Sequence, residues 1–325
     1  MTHAFRHNRT DQTGFFVTLV AATFLMGSSF VAGKVLLQHG FPPVLLVGWR
    51  FLVAAAATLP LVFMGNAEFP RALLPADRSL RAAGVIALIG LVQTAAVMGL
   101  LFLAMRWVSA ATASILLFTN PIWVALLGGL YLGDSLGKAR IGGLILGFSG
   151  VTLAIGLNRD TFSGPGALTG ELVGLGSALC WATATIINKR AGLKIGAWAL
   201  SFWQMLIGAL ALLVIAYSIG EHWPRAITLL DWGWFVWLAI PASAGSFGLW
   251  FVALGKGGAT RTSGYLFLAP LFTVILSFVV LGSAVTPLQG AGGALIGVAL
   301  WLVNREPAAT GERERVAEAL AEGEP

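Results

Sequence analysis

The chain has 325 residues, of which 57% are hydrophobic and 10% charged, and its mean hydropathy is +0.85. A soluble domain carries about 25% charged residues, so the composition excludes an ordinary water-soluble fold and points to a multi-span membrane protein. The net charge of +6 does not mark a nucleic-acid partner, because the basic residues are scattered over short polar loops, where they set membrane topology.

In chain order, residues 1–13 read as a polar, basic tail on the cytoplasmic side. Ten apolar spans are predicted at about 14–33, 43–64, 81–103, 109–131, 139–157, 168–188, 197–218, 232–253, 261–282 and 286–303. The first is too long for a signal-peptide core and is read as retained. Residues 158–167 read as a periplasmic linker and 305–325 as a mobile cytoplasmic tail with nothing to bury. With both termini inside, fifteen Lys/Arg fall on the cytoplasmic side and five, Lys34, Arg50, Arg106, Arg159 and Arg225, on the outer side. That bias fits the positive-inside rule. The single cysteine, Cys180, lies inside an apolar run, so no disulfide forms within the chain.

The chain repeats itself. Ala104 to Pro121 is a short polar hinge followed by an apolar helix with a proline near its middle. Ala253 to Pro270 returns the pattern, sharing Ala104/Ala253, Ala110/Ala259, Ser114/Ser263, Leu117/Leu266, Phe118/Phe267 and Pro121/Pro270. Met26–Lys34 aligns with Trp181–Lys189, and Trp49-Arg50 with Trp203-Gln204. The halves are therefore residues 14–157 and 168–304, five spans each. An odd number of spans forces the second half to enter the membrane from the opposite side, which makes the fold an all-α membrane protein of two inverted five-helix repeats.

The Gly-Ser-Ser-Phe…Lys ending of the first span, Arg50, the Ala…Ala-Ser…Pro helix, Gly133-Asp134 and their second-half echoes resemble the EamA-type transporters of the drug/metabolite transporter superfamily. The resemblance covers about residues 14–304 and departs from the family pattern at Met26 and Ser283. It implies a carrier in the bacterial inner membrane that exports an amino acid or a related metabolite.

Candidate site residues are polar groups deep in spans, since each needs a partner in the bilayer core. Pro121 and Pro270 interrupt matching helices, which marks either a transporter's central site or a packing kink. Thr119, Asn120 and Tyr265 add polar groups beside them. Arg50 is about seven residues inside its span, roughly 10 Å deep. It either holds a substrate carboxylate, gates the outer mouth, or bonds carbonyls or Glu171. Lys34 and Glu171 are charged gating candidates at the outer level, although a lysine at a span end can also snorkel to water. Gln93, Thr94, Thr183 and Gln204 suit a zwitterionic or amide-bearing solute or hold helices together. Trp123, Trp181, Trp203 and Trp250 could wall a cavity for an apolar group. Gly143, Gly147, Gly293 and Gly297 form small-xxx-small pairs for helix packing, with a dimer seam among their possible uses.

The first span has no acid, which disfavours a cationic drug substrate. No His-Glu-x-x-His, Gly-x-Ser-x-Gly, phosphate loop or Cys/His metal cluster occurs in the sequence, so no cofactor, metal or enzymatic chemistry is expected. The expected partners are a small neutral, partly apolar solute, the lipid bilayer and, at most, a second copy of the chain. Drug or nucleoside export, and a receptor or assembly role without flux, stand as alternatives.

Overall fold

The computed structural model describes residues 2–64, 72–133, 138–155, 166–250, 252–253, 266, 268–283 and 286–305. Among these every regular element is helical. In order they are α1 (Thr2–Gln38), α2 (Pro43–Phe63), α3 (Leu80–Ile89), the π-helical segment π1 (Gly90–Ala96), α4 (Val97–Ala104), α5 (Ala110–Leu117), α6 (Asn120–Leu132) and α7 (Lys138–Ile155). There follow α8 (Ala167–Ala191), α9 (Ala197–Ser218), α10 (Leu229–Ala239), a second π segment π2 (Ile240–Gly245) and a helical stretch over 246–250, α11. The last two are α12 (Leu268–Leu281) and α13 (Pro287–Arg305).

Six helical segments are long and apolar enough to cross a bilayer: Gly14–Gln38, Pro43–Phe63, Leu80–Ala104, Ala110–Leu132, Ala167–Ala191 and Ala197–Ser218. Ile141–Leu153 and Leu268–Leu281 are shorter apolar helices. The first apolar segment starts at Gly14, as read from the sequence, but ends later, because α1 runs past Gly33 to Gln38. The turn that stops it is a Schellman closure, in which Phe41 N–H donates to Leu36 O and Gly40 N–H to Leu37 O, with Gly40 at φ 85°. The linker at 158–165 and the tail from 306 lie outside the described residues.

Packing joins the two halves element by element. α2 lies along α9, α7 along α13, α1 along α12, and α8 along α4, α5 and α6. Every one of these pairs takes one helix from residues 14–155 and one from 166–305. Small residues let the backbones approach. A Cβ on Gly27 would come within 2.6 Å of Ala269 O. One on Gly150 would come within 2.8 Å of Gly292 O. Gly147 presses on Ile122 and Ala299, and Gly293 lies at ordinary contact distance from Ile115. Gly143 is buried. A Cβ on Gly297 would meet nothing within 4 Å, so Gly297 does not serve helix packing within this chain. The Gly147 approach to α6 and α13 and the Gly150 approach to α13 lie within one chain, where no second copy is needed to explain them.

Loops from distant parts of the sequence meet at the two ends of the bundle. At one end Ala76 N–H donates to Lys194 O at 2.9 Å, and Trp203 Nε1 donates to Leu73 O at 2.8 Å. At the other end the α1–α2 turn meets the start of α10. His39 Nδ1 lies 2.5 Å from Asp231 Oδ1. Glu221 Oε2 accepts from Leu45 N–H at 2.6 Å. Trp223 is ringed by Phe41, Trp49, Trp232 and Phe235, with centroids 5.5 to 6.4 Å away. Asp231 also closes a capping box with Thr228 at the start of α10.

The hydroxyl of Thr228, then the His39 ring, hold the Asp231 carboxyl down at about 2, against an ordinary value of 3.8. A depressed carboxylate stabilises the fold above its unfolded pKa and loses that contribution as pH falls through the folded one. Asp231→Asn is therefore expected to melt lower than wild type in detergent at pH 7. The gap should be complete above pH 3.8 and shrink as the pH falls toward about 2. A gap that stays constant over that range would remove Asp231 from the clamp.

Candidate functional site

Arg50 is carried by α2, which Pro43 starts at its first helical position. Its side chain is 3% exposed. Nε donates to Ser243 Oγ at 2.8 Å, and the guanidinium carbon lies 4.7 Å from the Phe51 ring centroid and 5.3 Å from that of Phe102. Nη1 is buried without a partner. Arg50 therefore does not bond Glu171, one of the options left by the sequence.

Ser243 is held by π2. Its hydroxyl donates to Leu238 O, five residues back, at 2.7 Å, so its lone pair is left to accept from Arg50. Pro241, without an amide, sits inside the same segment, and removing a helical donor there favours a widened turn. π segments inside α-helices recur at functional sites. The corresponding helix of the first half carries π1, and α9 presses against it. Gly208 would place a Cβ 2.4 Å from Thr94 Cβ, and Gly90 would place one 3.3 Å from Gln204 O. Arg50 and Gln204, matched in the sequence repeat, thus sit against the two π segments. Thr94 is 3% exposed, and Gln93 and Gln204 are half-buried.

The fourth apolar run is broken where Pro121 falls. α5 stops at Leu117 and α6 starts at Asn120, with Leu117 O deprived of the amide that Pro121 lacks. Thr119 Oγ1 donates to Leu116 O at 2.7 Å and accepts from Trp123 Nε1 at 3.2 Å. Asn120 is 8% exposed, and its Nδ2 has no partner. Phe118, at the break, meets Phe30 at 6.3 Å and Trp181 at 6.0 Å. Pro270 lies in the first turn of α12. There Thr273 Oγ1 donates to Gly27 O at 3.1 Å, while Ser277 Oγ is buried without a partner. Tyr265 and the rest of the second hinge lie outside the described residues.

Other candidates are used differently. Thr183 donates to Leu179 O of its own helix, which commits its hydroxyl proton to α8. Trp203 is tied to the 72–79 loop, and Trp250 packs on Phe15, Leu19 and Ala253 near the start of α1; neither joins the apolar cluster around Arg50. Trp123 packs edge-on against Phe148 of α7. Lys34 does not snorkel. Its Nζ donates to Met105 O and, at 2.9 Å, to Val108 O, binding both ends of the 105–108 turn between α4 and α5. Glu171 of α8 is 5% exposed, with Oε2 unpartnered. The sequence reading missed Ser243, Trp237, whose Nε1 donates to Ser28 Oγ at 3.0 Å, and the Gly27 crossing. A proline inside an apolar run, Pro241, was the one sequence signal for Ser243.

Among the described residues, four buried side-chain atoms lack partners: Arg50 Nη1, Asn120 Nδ2, Glu171 Oε2 and Ser277 Oγ. Two are donors and two can accept. In a bilayer such groups are costly unless something visits them. The described residues hold no cluster of His, Cys, Asp and Glu able to bind a metal.

The EamA-like transporter family matches residues 13–156 and, a second time, 168–305. A WAT1-related chloroplastic protein of Arabidopsis thaliana is 30% identical over 301 residues, covering 89% of this chain and 69% of its own. A probable amino-acid metabolite efflux pump of Salmonella typhimurium is 27% identical over 300 residues, covering 89% of this chain and 93% of its own. A solved structure aligns with TM-score 0.62 at 20% identity, over 92% of this chain and 98% of that one, a likeness of fold alone.

Proposed function

This chain belongs to the EamA-like transporter family, and we propose that it exports a small metabolite, an amino acid or a related neutral, partly apolar compound, across the bacterial inner membrane by alternating access. Membership makes it a membrane transporter. The narrower reading rests on one observation above the others: Arg50, buried among Phe51 and Phe102 and fixed by Ser243, keeps Nη1 free. A guanidinium so placed suits a carboxylate, and the apolar surroundings of Phe30, Phe118 and Trp181 suit an uncharged side chain. Lacking acids near that site, the carrier would disfavour a cation. The efflux-pump description of the Salmonella relative agrees with an amino-acid class.

In this reading ten spans form two inverted halves with both termini in the cytoplasm. The loop contacts support it. Ala76 with Lys194 and His39 with Asp231 join loops separated by an even number of the predicted spans. The helix pairings exchange in the same sense, α1 with α12 and α8 with α6. Overexpression is expected to protect cells against toxic amino-acid analogues. Protection against cationic dyes or nucleoside analogues, with none against amino-acid analogues, would replace the solute class.

A further inference from the structure

We propose that Lys34 is a state-dependent tie: it closes the outer mouth by holding the 105–108 turn against α1, and it leaves the turn when that mouth opens. The inference rests on the transport reading and its inverted halves, and it names what keeps one side of that carrier shut.

The turn joins the end of α4 to the start of α5. Met105 is the C-cap of α4 and Ser109 the N-cap of α5. The carbonyls of Met105 and Val108 therefore fall between two helices, where a helical amide is not at hand. Both residues are buried, and buried carbonyls need a donor. The Lys34 ammonium serves both, and its charge suits the negative end of the α4 dipole. Among the described residues Lys34 has no acidic partner. Gly33, beside it, shows how near α1 comes: a Cβ there would lie 2.7 Å from the Phe102 ring and 3.4 Å from Met105 Cε. Earlier in α1, Gly27 crosses α12 within 2.6 Å of Ala269 O. So α1 is wedged between a helix of the second half and a turn of the first, and Lys34 is a polar bond across that seam.

The repeat points to a tie that belongs to one state. Lys34 ends the stretch Met26–Lys34, and the matching stretch Trp181–Lys189 ends in Lys189. Lys34 is half-buried and bonded to the turn, whereas Lys189 is exposed in the last turn of α8. The two halves match one family, yet the same lysine is engaged in one and left to water in the other. Halves related by an axis in the membrane plane reach the opposite state by exchanging their arrangements, because the result is the same structure turned over. In that state Lys189 is engaged and Lys34 is exposed. Release of Lys34 is then part of opening the outer mouth, and the ammonium passes to water with its charge unchanged.

The test follows the turn and the distant lysine without following solute. Val108 is 7% exposed. A Val108→Cys, Cys180→Ser chain is purified in detergent, and its rate of maleimide labelling is measured with and without Lys34→Met, whose side chain has no donor. In the same chains, acetylation of Lys189 by an amine reagent is read by mass spectrometry against that of Lys194, which is also exposed. The tie predicts labelling at position 108 several-fold faster in Lys34→Met, and acetylation of Lys189 several-fold slower. Gly170 meets the turn at Trp107 and Val108, and from there to Lys189 is about 28 Å of helix at 1.5 Å per residue. A purely local loosening therefore speeds labelling at 108 and leaves Lys189 as it was. That result overturns the proposal, and so does labelling at 108 that does not change. If Lys34→Met does not fold, Lys34→Gln, with N–H donors on a shorter stem, is read for the same two signs at smaller size. Neither readout requires flux, so failure of the tie leaves the export reading standing, and absence of flux leaves the tie readable.

Discussion

Arg50→Gln is expected to abolish most export while leaving a folded protein. Among the described residues the side chain makes one hydrogen bond, to Ser243, and it keeps Nη1 unpaired in an apolar setting. Hydrogen bonds to charged groups contribute about 1.5–3 kcal/mol, which corresponds to roughly 10- to 150-fold in the ratio of Vmax to KM. Removing the guanidinium also removes the expense of burying it, so melting temperature should fall little or rise. Arg50→Lys should not rescue flux, because an ammonium on a flexible stem cannot reproduce the planar fork held by Ser243. Ser243→Ala should act in the same direction but less, since the charge remains and only its orientation is lost. Equal efflux by wild type and Arg50→Gln would remove Arg50 from the site.

Gly27→Val is expected to cost the fold itself. A Cβ at this position would lie 2.6 Å from Ala269 O, 2.9 Å from Phe272 Cβ and 3.1 Å from Thr273 N. Two of these are backbone atoms in the first turns of α12, next to Pro270, and they cannot swing aside. Overpacking costs about 1–3 kcal/mol where side chains can adjust; here the backbone must move, and the Thr273–Gly27 bond goes with it. Replacing a mid-helix glycine gains only about 0.5–1 kcal/mol, so the clash wins. Gly297→Ala, with no neighbour within 4 Å, is the matched control and should keep or slightly raise the melting temperature. If Gly27→Val melts like wild type, the α1–α12 crossing is drawn too tightly.

The all-helical membrane architecture was legible in the sequence because apolar runs are long and their period is unambiguous. So was the break at Pro121, since a missing amide leaves a gap whatever surrounds it. The two π segments were not legible. Their residues read as uninterrupted apolar helix, and the extra residue per turn shows in backbone bonds that span five residues, from Val97 N–H to Val92 O and from Ser246 N–H to Pro241 O. The destination of polar side chains was legible only in part. The period of a helix says which face Thr183 or Trp203 occupies, but not that Thr183 turns back on its own helix or that Trp203 reaches a loop 130 residues away. Lys34 reads as a snorkelling lysine from its place at a span end; its partners Met105 and Val108 come from tertiary packing. The glycine pairs show the same limit. Spacing identifies small faces but not which glycine bears the contact, and Gly150 carries a backbone approach that Gly297 does not.

Counterflow in liposomes puts the account to its sharpest test. Vesicles holding purified protein are loaded with an unlabelled neutral amino acid and diluted into a trace of the labelled one. A carrier with a central site accepting that class gives a transient overshoot of label above equilibrium, competed by other branched or aromatic amino acids and lost in Arg50→Gln. Label that enters no faster than into protein-free vesicles, across the whole panel of neutral amino acids, would contradict it.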